Sequence, residues 1–155
     1  MTRAFLPLLM QRDEARLVNI SSLFGLVAPP GATSYVASKF AVRGFSESLR
    51  NELRGSPVGV TVVHPGGVAT SIAENSRVPR DATNAEVAEQ IQMSRKLLTM
   101  PPAKAGEIIV SGIERRRARV LVGRDAKIIS FIERLFPTTY WNLAQLAAGK
   151  RIPSP

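Results

Sequence analysis

The chain has 155 residues, 45% hydrophobic and 21% charged, with no cysteine and one histidine. That is enough for one domain with a core, and it leaves no basis for a disulfide, a thiolate metal site or a multi-histidine metal site. A net charge of +9 raises nucleic acid as a partner, but Lys and Arg are spread along the chain and no aromatic–basic interleaving occurs, so nucleic-acid binding is not expected.

The first segment, Thr2–Arg12, reads as the end of a helix with Phe5, Leu6, Leu9 and Met10 apolar. Its "AFLPLLM" run passes directly into polar "QRDEAR", which is not the pattern of a signal peptide. No apolar run reaches the roughly eighteen residues a membrane span needs. "RLVNIS" (Arg16–Ser21) suits a short buried strand, and "LFGLVAPPGAT" is loop chemistry. From Thr33 to Arg54 the residues Val36, Phe40, Ala41, Gly44, Phe45, Leu49 and Leu53 recur at helical spacing, until Gly55 and Pro57 stop the helix. "VGVTVVH" (Val58–His64) is short, uninterrupted and rich in β-branched residues, as in a strand buried on both faces. "PGG" follows it at once. Helical patterns then cover Asn84–Thr99 and Pro102–Arg116, the second opening on prolines where they are tolerated. The basic cluster Glu114–Arg119 lies at that helix's end, where cations suit the dipole. "ARVLV" (Ala118–Val122) reads as a third strand, and Arg124–Phe136 and Thr138–Ala148 as closing helices parted by Pro137. Strands alternating with helices predict an α/β fold, a partial Rossmann-like doubly wound parallel sheet of about three strands with flanking helices, where the complete fold has about six.

Tyr35 and Lys39 stand four apart in "SYVASKF", so they share one face of their helix. A free phenol ionises near pH 10, and a neighbouring ammonium favours its charged form. Such a pair is suited to general acid–base work on an alcohol or carbonyl oxygen. "NISS" ends the first strand and "HPGGVAT" (His64–Thr70) the second, both at the carboxyl edge where open α/β sheets bind ligands. Ser22 precedes Tyr35 by thirteen positions. Taken one at a time, Ser22 capping a turn, His64 closing a strand and Pro65–Gly66 making a turn are ordinary local structure.

The ordered set NISSxxG, YxxSK and PGxVxT resembles the second half of the short-chain dehydrogenase/reductase family, from Met1 through at least Val122. The resemblance implies that Tyr35 exchanges a proton with the substrate oxygen and that Lys39 supports the tyrosinate and holds the nicotinamide ribose. It implies that Ser22 hydrogen-bonds the reacting oxygen, that Pro65, Gly66 and Val68 line the nicotinamide, and that Thr70 holds its carboxamide or the diphosphate. NAD or NADP is the implied cofactor, with a small alcohol or carbonyl compound as substrate and a cytoplasmic location. A homo-oligomer through the Tyr35 helix is a further expectation. The loop from Ser71 to Asn84 resembles the family's variable substrate lid.

The glycine-rich phosphate loop is absent from the sequence, and the asparagine of the catalytic set would lie upstream of position 1. Met1 falls where the family has a helix interior. The expectation is therefore a truncated chain, 1–123 being the catalytic half and 124–155 a C-terminal helical extension. An inactive remnant or interaction fragment is the alternative function. The apolar residues Ile128, Ile129, Phe131, Ile132, Leu135, Phe136, Tyr140, Trp141 and Leu146 suggest an extension packed over the pocket or an oligomer contact. Peripheral membrane contact through this face with its basic flanks is the less expected reading.

Overall fold

A computed structural model describes residues 1–72, 75 and 83–147. Most of the stretch compared above to a substrate lid, and the chain from Ala148 onward, lie outside the described residues. The elements in order are α1 (Thr2–Leu9), β1 (Ala15–Ile20), a 3-10 turn (Leu23–Gly25), α2 (Thr33–Glu52), β2 (Val58–Pro65), α3 (Asn84–Leu97), α4 (Pro102–Glu114), β3 (Arg119–Val122), α5 (Arg124–Leu135) and α6 (Tyr140–Ala147).

The three strands form one parallel sheet in the order β1-β2-β3. Ile20 pairs with Val63 and Pro65 with Val122. The carboxyl ends of all three strands therefore meet at one edge. The central strand β2 is the most buried, with Val60, Val62, Val63 and His64 at 2% exposure or less. β-branched side chains on both faces of a pleated strand fill the space between two layers of helix, as the uninterrupted "VGVTVVH" predicts.

Alternation along the strands separates the two layers. On one face Val63, Val120 and Val122 pack with Ala105, Ile108 and Ile109 of α4. On the other, Leu121 packs with Leu23, Leu26, Val27 and Ala126, while Asn19 Nδ2 donates to Ser46 Oγ of α2 at 2.9 Å. Ser46 Oγ donates in turn to the Val42 carbonyl at 2.6 Å, so this buried polar contact leaves no hydroxyl unpaired.

Of the seven apolar residues spaced along α2, only Leu49 is buried, and Phe40, Ala41, Gly44 and Phe45 are exposed. The stripe is wider than the surface the sheet offers, so helical periodicity identified the helix correctly but not its inner face. The closing helices divide similarly. Ala126, Ile129 and Tyr140 face the core, whereas Ile128, Phe131, Leu135 and Phe136 stay exposed. Among the described residues, β1 has no strand on its outer side.

Candidate functional site

The site lies at the carboxyl edge of the sheet, beginning where β1 runs out. Ser21 continues the ladder, its N–H donating to the Val63 carbonyl at 2.8 Å, and its hydroxyl donates to the Lys39 carbonyl at 2.8 Å. The chain then folds back so tightly that a Cβ at Gly25 would collide with Ser21 Oγ and sit 2.8 Å from the Lys39 carbonyl oxygen. Only glycine permits that approach, which seats the turn directly on α2.

Ser22 is extended and half-buried, and its Oγ accepts from the Phe24 N–H at 3.1 Å. The capping role that any serine could play is thus present. The same hydroxyl keeps its own proton and a second lone pair for a ligand. Phe24, fixed by that cap, meets the Tyr35 ring edge to face at 6.0 Å and 81°. Such T-shaped contact fixes the orientation of the phenol plane.

Tyr35 and Lys39 lie on one side of α2, as their spacing requires. Lys39 Nζ is 5.5 Å from the Tyr35 ring centroid, within cation–π range. It also reaches the Ile20 carbonyl at 3.5 Å, at the long end of hydrogen bonding. The ammonium therefore bridges the phenol and the end of β1. Tyr35 remains 40% exposed, open to a molecule arriving at the edge.

The other wall is the turn after β2. Gly66 N–H donates to the Val122 carbonyl at 2.9 Å, and Gly67 N–H to Asp125 Oδ2 at 2.7 Å. The Gly67 carbonyl accepts from Thr99 at 3.0 Å and Met100 at 2.9 Å. A Cβ at Gly67 would collide with the Leu97 carbonyl oxygen. The turn is held from three directions, leaving Pro65 and Gly66 half-buried and Thr70 exposed. Val68 turns its side chain into the α4-side core and bridges Met100.

Three residues to which the sequence reading gave no role at this edge organise it. Asp125, in the first turn of α5, anchors the PGG turn; a carboxylate there also complements the helix dipole. Tyr140 Oη accepts from the Ala28 N–H at 2.8 Å, tying α6 to the loop that leads into α2. His64 is not simply the end of a strand. It is fully buried, and its Nδ1 lies 2.8 Å from the Ser22 carbonyl oxygen. Since that oxygen only accepts, Nδ1 carries the proton, and Nε2 has no hydrogen-bond partner among the described residues. Burial pushes the imidazole below its ordinary value, and the bond to Ser22 opposes this only in part. The histidine's place beside the proline–glycine turn was the one available signal.

The family model for short chain dehydrogenase matches residues 1–81. The protein SadH of Mycobacterium tuberculosis is 42% identical over 154 residues, covering 98% of this chain and 55% of that protein. A short-chain dehydrogenase/reductase from Burkholderia phymatum, solved in complex with NAD, superposes with a TM-score of 0.69 at 26% identity, over 99% of this chain and 56% of that one. A Burkholderia cenocepacia short chain dehydrogenase solved with NADP shares the fold, with a TM-score of 0.67 at 24% identity over 99% of this chain and 54% of that one. The chain thus spans about half the length of the relatives it matches. It belongs to the short-chain dehydrogenase family.

Proposed function

We propose that this chain carries the proton-transfer half of a nicotinamide-dependent oxidoreductase, one that interconverts a secondary alcohol and a ketone. The observation that carries the reading is the Lys39 ammonium over the Tyr35 ring, beside the end of β1 and the Ser22 turn. A nicotinamide cofactor, when bound, supplies or accepts the hydride. The protein's part is the proton. In the oxidation direction the substrate hydroxyl donates to Tyr35 Oη, and the Ser22 hydroxyl hydrogen-bonds the oxygen whose charge is changing. Lys39 sets its positive charge 5.5 Å from the centre of the Tyr35 ring that carries this hydroxyl, near the charge that changes in the transfer. In reduction the same proton returns from Tyr35 to the forming alkoxide. A peripheral contact or a homo-oligomer through α2 is compatible with the exposed Phe40 and Phe45, but the chemistry does not require either.

The residues present fit one end of the cofactor. Lys39 offers N–H donors suited to ribose hydroxyls, and Pro65 and Gly66 with the Thr70 hydroxyl would wall the nicotinamide amide, Val68 supporting that turn from the core side. NAD and NADP are both open, since the two solved relatives hold one each. For the diphosphate the chain offers no glycine-rich loop, the element that presents a row of N–H groups to phosphate. That observation favours a second reading for the 155 residues on their own: a non-catalytic fragment that binds the dinucleotide weakly or not at all.

Two measurements separate the readings. The product of the native gene, incubated with NAD or NADP and a panel of secondary alcohols, is expected to form reduced cofactor; no turnover with any of them, in either direction, refutes the oxidoreductase. The 155-residue chain titrated calorimetrically with either dinucleotide is expected to show no tight binding, and micromolar affinity refutes the fragment reading.

A further inference from the structure

The outer face of α5 goes unused by the site. On this helix Ile128, Phe131 and Leu135 follow one another at spacings of three and four, so they form a single stripe. They are 55%, 64% and 55% exposed, more than Tyr35, while Ala126 and Ile129 on the opposite side bury against the turn that carries Ser22. The helix is therefore docked by its inner side, and among the described residues its stripe is left bare.

Charge around the stripe is one-sided. Lys127 and Arg134 are exposed along one flank, and Arg124 stands at its amino end. Among the described residues none of these three cations is in an ion pair. The helix's two acids do not offset them: Asp125 is engaged by the Gly67 N–H, and Glu133 is half-buried away from the stripe. An exposed apolar stripe beside unpaired cations, on a docked helix, in a chain of net charge +9, matches the two requirements of an anionic bilayer surface: apolar side chains to enter the acyl boundary and cations to meet the headgroups. A second copy fits less well, because a twofold contact through this face would set Lys127 and Arg134 against like charges.

We propose that the outer face of α5 is a peripheral docking surface for membranes containing anionic lipid, with Ile128, Phe131 and Leu135 inserted at the interface. No described helix is long and apolar enough to cross a membrane, and this mode of contact needs none. Asp125, one turn before Ile128, keeps its carboxylate on the Gly67 N–H of the PGG turn.

The test is cosedimentation of the full chain with phosphatidylcholine vesicles, with and without phosphatidylserine. Binding is expected only with phosphatidylserine and should weaken as salt rises. Lys127→Gln and Arg134→Gln should each weaken it roughly fivefold, and Phe131→Ser by about tenfold or more. Phe45→Ser, which removes another exposed ring, this one from α2, should leave binding as it was; circular dichroism checks that every variant is folded. Equal binding to both vesicle types, or an equal loss in Phe45→Ser and Phe131→Ser, overturns the proposal. So does a dimer by light scattering that Phe131→Ser converts to monomer, since the face would then be covered by a second copy.

Discussion

The buried His64 makes the fold's stability depend on pH in a window where almost nothing else titrates. In the unfolded chain the imidazole takes up a proton near pH 6.5. In the folded chain burial holds it neutral to lower pH, and among the described residues Nε2 has no partner to receive the charge. Acidification therefore protonates the unfolded state first. The contribution of His64 is complete above the unfolded value of about 6.5, and it is lost as the pH falls from there through the folded value. Within that interval up to one proton separates the two states, so stability should fall by at most about 1.4 kcal/mol per pH unit. For a chain of this size that is about 3–6 °C in melting temperature per unit. The assay is urea or thermal unfolding followed by far-UV circular dichroism, from about pH 8 down to about pH 5.5, above the ordinary carboxylate range. Because the chain has one histidine, His64→Gln should abolish the slope whatever it does to stability at neutral pH. A wild-type profile that is flat across the window, or a His64→Gln variant that keeps the slope, would refute the reasoning.

Gly67→Ala should destabilise by about 1–3 kcal/mol, because the new methyl group would meet the Leu97 backbone carbonyl, which cannot rotate away as a side chain can; an unchanged urea midpoint contradicts the described turn. Asp125→Ala removes the acceptor for the Gly67 N–H and should cost about 1 kcal/mol, less than the roughly 1.5–3 kcal/mol of a charged hydrogen bond because this one is exposed, with amide exchange at Gly67 rising accordingly. Tyr140→Phe leaves the Ala28 N–H without its side-chain acceptor, and should cost about 0.5–1 kcal/mol while speeding exchange at Ala28; no change at that amide would mean that α6 does not brace the loop.

The parts legible in the sequence were those encoded by local period. The β-branched run Val58–His64 announced a strand buried on both faces, and β2 is that strand. The four-residue spacing of Tyr35 and Lys39 placed ammonium and phenol together, as they are found. The illegible parts are long-range. Asp125 and Gly67 lie 58 residues apart, Tyr140 and Ala28 112 apart, and His64 and Ser22 42 apart. No period links such pairs; only the parallel pairing of the strands brings their loops to one edge. Amphipathic spacing also says that a helix has an apolar side without saying how much of that side finds a partner. This is why Phe40 and Phe45 on α2, and Phe131 on α5, are exposed.

The central claim is that Tyr35 moves the proton and Lys39 supports it, and it is tested most directly by two variants of the native gene product measured side by side. Tyr35→Phe removes only the hydroxyl and keeps the ring packed on Phe24. It should lower kcat by about 10²–10⁴-fold with dinucleotide affinity little changed, whereas Lys39→Met should lower both. A Tyr35→Phe enzyme turning over alcohol at the wild-type rate would contradict the account.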